Sequence, residues 1–159
     1  MNKIITAAAA LMLVAPAHAE NHETTEMAAP SGDVAAGEKA FRQCVSCHIV
    51  KNDAGELLAG SKARSGPNLY GAAGHQIAGR DDYKYGPSIA KIGADGMIWD
   101  EESFVAYVQD PTGWLRETLG DPDAKRSKMT FKVRKADNAV DLYAFLYSLK
   151  PPVKEEKAE

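Results

Sequence analysis

Three stretches of the chain carry apolar residues at helical spacing. Asp33, a good N-cap, opens the first, in which Val34, Phe41, Cys44 and Val45 fall along one side. The second follows Trp99. Asp100 caps it, Glu101 and Glu102 suit its positive N-terminal end, Phe104, Val105 and Val108 form its apolar face, and Pro111 stops it. The third is expected to be capped by Asp137; it carries Val140, Leu142, Tyr143, Leu146 and Leu149 and ends before Pro151. Shorter helices are expected over 87–92 and 114–119. No stretch alternates well enough to predict a strand, and 55–86 reads as a long loop. So long a loop is uncommon in a small domain unless it wraps something large. The pattern predicts a mostly α fold around a bound group.

The ends read differently. Lys3, the apolar run from Ile4 to Val14 and the small-x-small sequence Ala17-His18-Ala19 make 1–19 a secretory signal peptide, expected to be cleaved after Ala19 on export to a bacterial periplasm. Residues 20–32 are polar and aperiodic and are expected to form a disordered lead. One domain over 33–150 follows, and then a charged tail over 151–159, begun by a double proline.

Composition narrows the function. The 159 residues include 19 basic and 22 acidic ones, a net charge of −3, which disfavours general nucleic-acid binding. No apolar run is long enough for a membrane span. Only two cysteines are present, too few for a disulfide scaffold or an all-cysteine zinc site.

Those two cysteines carry the chemistry. Cys44-Val45-Ser46-Cys47-His48 is a CxxCH motif, the attachment signature of haem c. On a helical turn, cysteines three apart lie on one side, where each thiol can add to a haem vinyl group. His48 is then held under the iron as an axial ligand. Zinc would need four ligands, and only His22 and His75 remain beyond the motif after cleavage. A thiol-disulfide oxidoreductase is the other rival, but that fold places its CxxC after a core strand, whereas helix-like sequence precedes Cys44.

The opposite side of the iron has five candidate ligands: Met27, Met97, Met129, His22 and His75. Met27 and His22 belong to the lead, and Met97, just before Trp99, reads as a packing residue. Met129 lies in the loop Ser127-Lys128-Met129-Thr130-Phe131, where polar neighbours argue against simple core packing. It is the favoured ligand; a thioether there would raise the reduction potential.

The chain resembles the class I cytochromes c, in particular the bacterial cytochrome c2/c-550 group. The resemblance rests on GEKAFRQCVSCH, GPNLYGAAGH, YKYG, Trp99, YVQDPTGWL, SKMTF and DLYAFLYSL, in that order through 33–150. It implies a cytochrome c fold, with helices wrapped around one covalently bound haem. It also implies that the Pro67 carbonyl accepts a hydrogen bond from His48, and that Tyr85 and Trp99 hydrogen-bond a haem propionate with weaker help from Ser127. Tyr107 would bring its hydroxyl to the methionine sulfur, and Gly37 and Phe41 would face the terminal helix. The chain departs from the group at His75, where most relatives have an arginine near the buried propionate; a titrating histidine there makes the potential depend on pH near neutrality. Arg80 is the other candidate for that contact. The segment 114–127 is also longer than in mitochondrial relatives.

Charge adds the last element. Residues 125–135 (KRSKMTFKVRK) hold six basic residues and no acidic one, and the resemblance puts Lys62 and Arg64 on the same rim. A positive front on an acidic body steers a protein toward acidic partners. The resemblance implies a monomeric one-electron carrier rather than an enzyme, taking electrons from a cytochrome bc1 complex and passing them to an oxidase, a photosynthetic reaction centre or a reductase. A haem enzyme or sensor with an open sixth position is the further alternative.

Overall fold

The computed structural model describes residues 28–63 and 65–150. The expected signal peptide and tail, His22, Met27 and Arg64 lie outside the described residues. The described residues form five α-helices and one small hairpin: α1 (Val34–Ala40), β1 (Val50–Lys51), β2 (Leu57–Ala59), α2 (Pro87–Ala94), α3 (Glu101–Gln109), α4 (Pro111–Leu119) and α5 (Ala136–Leu149).

The Asp33 side chain caps α1 by accepting the Ala36 N–H. The helix then tightens into a 3-10 turn over Phe41–Gln43, which delivers Cys44. Packing extends to Ser31, a residue expected in the lead, whose N–H and hydroxyl both donate to the Glu101 carboxylate; at the start of the domain the Asp33 N–H donates to Asp141.

Asp100 caps α3 as expected, accepting the Ser103 N–H at 2.8 Å. Pro111, read from the sequence as a stop, is also a start. It is the first residue of α4, where its missing N–H costs nothing, and Asp110 caps that helix through the Gly113 N–H. The helix expected over 114–119 therefore begins three residues earlier and ends at the left-handed Gly120. A second correction concerns α5, whose cap position is Lys135, with no side-chain bond. Asp137 sits inside the first turn, where its charge favours the helix end without capping it. The antiparallel hairpin was missed because strands of two and three residues show no alternation. Among the described residues from 60 to 86, no helix or strand forms beyond the single bridge of Gln76 to Ile98.

The first and last helices cross at Gly37. A Cβ there would collide with the Asp141 carbonyl and the Phe145 Cβ, so only glycine lets the backbones approach this closely. Phe41 and Phe145 stack at 5.6 Å just beyond. Behind this crossing, α5 packs on α3, and the Tyr143 hydroxyl donates to the Trp99 carbonyl at 3.1 Å. Trp99, Tyr107 and Trp114 form one aromatic cluster with centroids 5.0 to 5.5 Å apart. No helix of the described residues is long and apolar enough to cross a membrane.

Gly37→Ala is expected to cost about 3 kcal/mol or more in chemical denaturation, because backbone rather than a movable side chain receives the added methyl. Gly96→Ala, with open space but a φ of +84°, should cost about 1 kcal/mol.

Candidate functional site

One cavity of about 570 Å³ lies between the long loop and the faces of α3, α4 and α5. That size suits a cofactor site. Its apolar wall includes Phe41, Leu115, Val133, Leu142 and Leu146. Every expected site residue meets this cavity: Cys44, Cys47, His48, Pro67, Tyr85, Trp99, Tyr107, Ser127 and Met129.

A single turn presents the motif. The backbone N–H groups of Cys47 and His48 both donate to the Cys44 carbonyl, at 3.0 and 2.9 Å. Burial pushes the Cys44 thiol up to about 11, with Cys47 adding to the effect; hydrogen bonds from Ser65 and Ser46 lower the exposed Cys47 thiol. The two thiols are thus an inner and an outer one.

His48 is held by a neighbouring loop. Its Nδ1 donates to the Pro67 carbonyl at 2.9 Å, which leaves Nε2 as the free lone pair. Burial lowers the imidazole's affinity for a proton, against the smaller opposing effect of that bond, so the ring stays neutral and able to bind metal. The loop is strapped down by Gly66 N–H to the Cys47 carbonyl, Leu69 N–H to the Ile49 carbonyl, and the Asn68 side chain, which bonds both backbone groups of Lys51. Gly66 has no Cβ to strike the His48 ring. GPNL is therefore a clamp on the segment after CxxCH.

Met129 also lines the cavity, whereas Met97, the other described methionine, packs at the edge of the core. The Ser127 hydroxyl accepts the Met129 N–H at 3.0 Å and bonds the Tyr107 hydroxyl at 2.8 Å. The tyrosine that the resemblance directs at the methionine sulfur thus engages Ser127, two residues away. Ser127, expected beside Tyr85 and Trp99, ties the Met129 loop to α3. Lys128 holds the same loop from outside, with its ammonium on the Lys84 carbonyl and over the Tyr83 ring.

His75 and Arg80 both reach the cavity. The His75 Nδ1 lies 3.0 Å from the Ala73 carbonyl, and the Arg80 guanidinium makes two 2.8 Å bonds to Asp82. Arg80 is thereby neutralised in part, a pairing the sequence did not announce. Tyr85 lies half-buried beside Arg80, and burial raises its hydroxyl above the usual range. Tyr70 and Lys150 were also missed: the Lys150 ammonium sits 4.8 Å over the Tyr70 ring and pairs with Asp53 at 3.0 Å. Among the described residues, no group of three or more His, Cys, Asp or Glu could hold a bare metal ion. The donor set of two thiols, an imidazole and a thioether around an apolar cavity suits an iron that arrives within a porphyrin.

No family model matches the chain. It is 57% identical over 119 residues to a cytochrome c2 of Rhodovulum adriaticum, covering 75% of this chain and 94% of that one. A cytochrome c2 of Cereibacter sphaeroides is 49% identical over 119 residues, covering 74% and 81%. The chain belongs to the class I cytochromes c, in the cytochrome c2 group. Its fold agrees: a crystal structure of cytochrome c2 from Rhodobacter sphaeroides superposes with a TM-score of 0.71 at 47% identity, covering 74% of this chain and 95% of that one. The cofactor of this cytochrome is one covalent haem c, and its role is electron transfer rather than enzyme catalysis.

Ser127→Ala removes both bonds of that hydroxyl, and Tyr107→Phe removes only one. The first is expected to cost about 2 kcal/mol and the second about 1 kcal/mol in denaturant unfolding. Equal losses would contradict the bridging role.

Proposed function

We propose that the chain is a periplasmic one-electron carrier in which Cys44 and Cys47 form the thioether links, and His48 and Met129 ligate the iron. The carrying observation is that the CxxCH turn and Met129 line one and the same cavity. When bound, the haem supplies a reversible one-electron Fe(III)/Fe(II) couple. His48 offers Nε2 because Nδ1 is committed to Pro67, and that bond sharpens both its orientation and its basicity. The Met129 thioether favours ferrous iron and raises the potential. Trp99, Tyr107 and Leu115 keep water from the cavity wall. Tyr85 and Trp99, with His75 or Arg80, face the propionate side in this reading.

A filled sixth position leaves no room for a substrate, which argues against the haem enzyme or sensor. The thiol-disulfide oxidoreductase is disfavoured as well, since a helix and a 3-10 turn, not a strand, lead into Cys44. Export with cleavage after Ala19 fits the attachment of haem outside the cytoplasm.

The six basic residues from Lys125 to Lys135 are all exposed, as is Lys62, and the six flank Met129 in the chain. This rim suits brief docking of the monomer on acidic surfaces, with a cytochrome bc1 complex as donor and an oxidase, reaction centre or reductase as acceptor. Transfer then proceeds through the rim without bond making.

Two measurements test the reading. The oxidised protein should show the weak ferric-iron-to-methionine charge-transfer band, and Met129→Ala should abolish it; a band unchanged in that variant removes Met129 as ligand. Raising salt from 0.01 to 0.5 M should slow electron transfer with an acidic partner about tenfold or more, because screening removes the steering. A rate indifferent to salt would contradict docking at this rim.

A further inference from the structure

We propose that Ser88 is a positioning residue for Met129, one half of a reciprocal stitch that makes the start of α2 and the Met129 loop open as a single unit. The inference rests on the reading of Met129 as an iron ligand. Ser88 is the second residue of α2 and is only 7% exposed. Its hydroxyl donates to the Lys125 carbonyl at 2.7 Å, across 37 residues of chain. The hydroxyl is not spent on its own helix, whose cap position is Gly86 and which takes no side-chain cap.

The second half runs the other way. Lys128, just past Lys125, donates its ammonium to the carbonyl of Lys84, just before α2. Each segment thus supplies one side-chain donor and one backbone carbonyl, in antiparallel register: Lys84 meets Lys128, and Ser88 meets Lys125. Between the stitches, Gly86 faces the Lys128 stem, where a Cβ would lie 3.7 Å from Cγ. Tyr85 also lies between them, and Met129 follows Lys128 directly. Satisfying one carbonyl needs neither the second bond nor the register; joining two segments needs both. Lys128 is exposed and its bond competes with water, so the buried Ser88 bond is the stronger of the two.

Other restraints on this loop come from α3 and α4. Thr112 Oγ1 accepts the Ser127 N–H at 3.2 Å, Tyr107 bonds the Ser127 hydroxyl, and the Arg116 Nε–H reaches the Ala124 carbonyl at 3.5 Å. Removing the Ser88 hydroxyl leaves all three in place and cuts the loop's buried tie to α2. Opening of the loop, which carries Met129 away from the cavity, then becomes easier by one net hydrogen bond, roughly fivefold in the opening equilibrium. Because the ties are reciprocal, the 84–88 segment loosens with it. The stitch therefore couples the segment that bears Tyr85 to the one that bears Met129, through two discrete bonds that both segments share.

The test is imidazole binding to the oxidised, haem-loaded mature protein, where imidazole takes the iron position that Met129 vacates on opening. Ser88→Ala is expected to raise imidazole affinity roughly fivefold, the equivalent of one net hydrogen bond. Lys128→Met should shift it the same way by less, and Ser88→Thr, which keeps the hydroxyl, should restore the wild-type value. Ser103→Ala removes another buried hydroxyl, one bonded to Asp100 at the start of α3, and should lower global stability without changing imidazole affinity. Unchanged affinity in Ser88→Ala, or an equal rise in Ser103→Ala, would overturn the proposal. Hydrogen exchange of the wild type tests the shared opening even if Ser88→Ala fails to fold. With imidazole bound, the Ala90 N–H, which donates to the Gly86 carbonyl at 3.0 Å, should lose protection together with the Met129 N–H. An Ala90 amide that stays protected while that of Met129 exchanges would contradict a single opening unit. A wild type without the methionine charge-transfer band would instead bring down the underlying reading of Met129.

Discussion

Among the described residues, α1 crosses α5 at Gly37, α3 packs on α4 and α5, and α2 packs on α4; elsewhere, apolar side chains from these elements turn toward a shared cavity of about 570 Å³. Phe41, Phe104, Leu115, Val133, Leu142 and Leu146 are core residues by burial and wall residues by position. A chain of this size has little core to spare, so a large bound group at the centre supplies contacts that no side chain provides. The long irregular segment over 60–86 follows from the same requirement. Its described residues form no helix or strand, as suits a segment that wraps a bound group.

Placing the two proposed iron ligands then needs restraint from outside their own segments. His48 leaves the CxxCH turn with one ring nitrogen committed to Pro67, and the clamp holding Pro67 is built from Gly66, Asn68 and Leu69 against 47–51. Met129 lies on a loop held by Ser127 and Tyr107 within and by Lys128 without. Both donors thus sit on loops whose geometry is fixed by hydrogen bonds to distant residues. Such restraint suits electron transfer, in which a site that barely moves between redox states reacts fastest.

The helices were legible because their apolar spacing and caps are local: Asp33 and Asp100 act as caps, as their positions predict. Pro111 was misread in part because a proline stops one helix and starts another with the same missing N–H, and only the Asp110–Gly113 bond shows which. The site's chemical residues were legible too, since CxxCH, GPNL and SKMTF are contiguous words. What escaped was long-range pairing. Arg80 with Asp82, Lys150 over Tyr70, and Ser127 between Tyr107 and Met129 depend on how the loops close, and no spacing encodes that closure.

If the haem is the centre of this core, the chain without it should lose its fold along with its colour. The most direct measurement is far-ultraviolet circular dichroism with thermal unfolding of the haem-free Cys44→Ser/Cys47→Ser chain. Little helix and no cooperative transition are expected, because the cavity wall would face water. Native-like helix content with a sharp, cooperative transition would contradict the account.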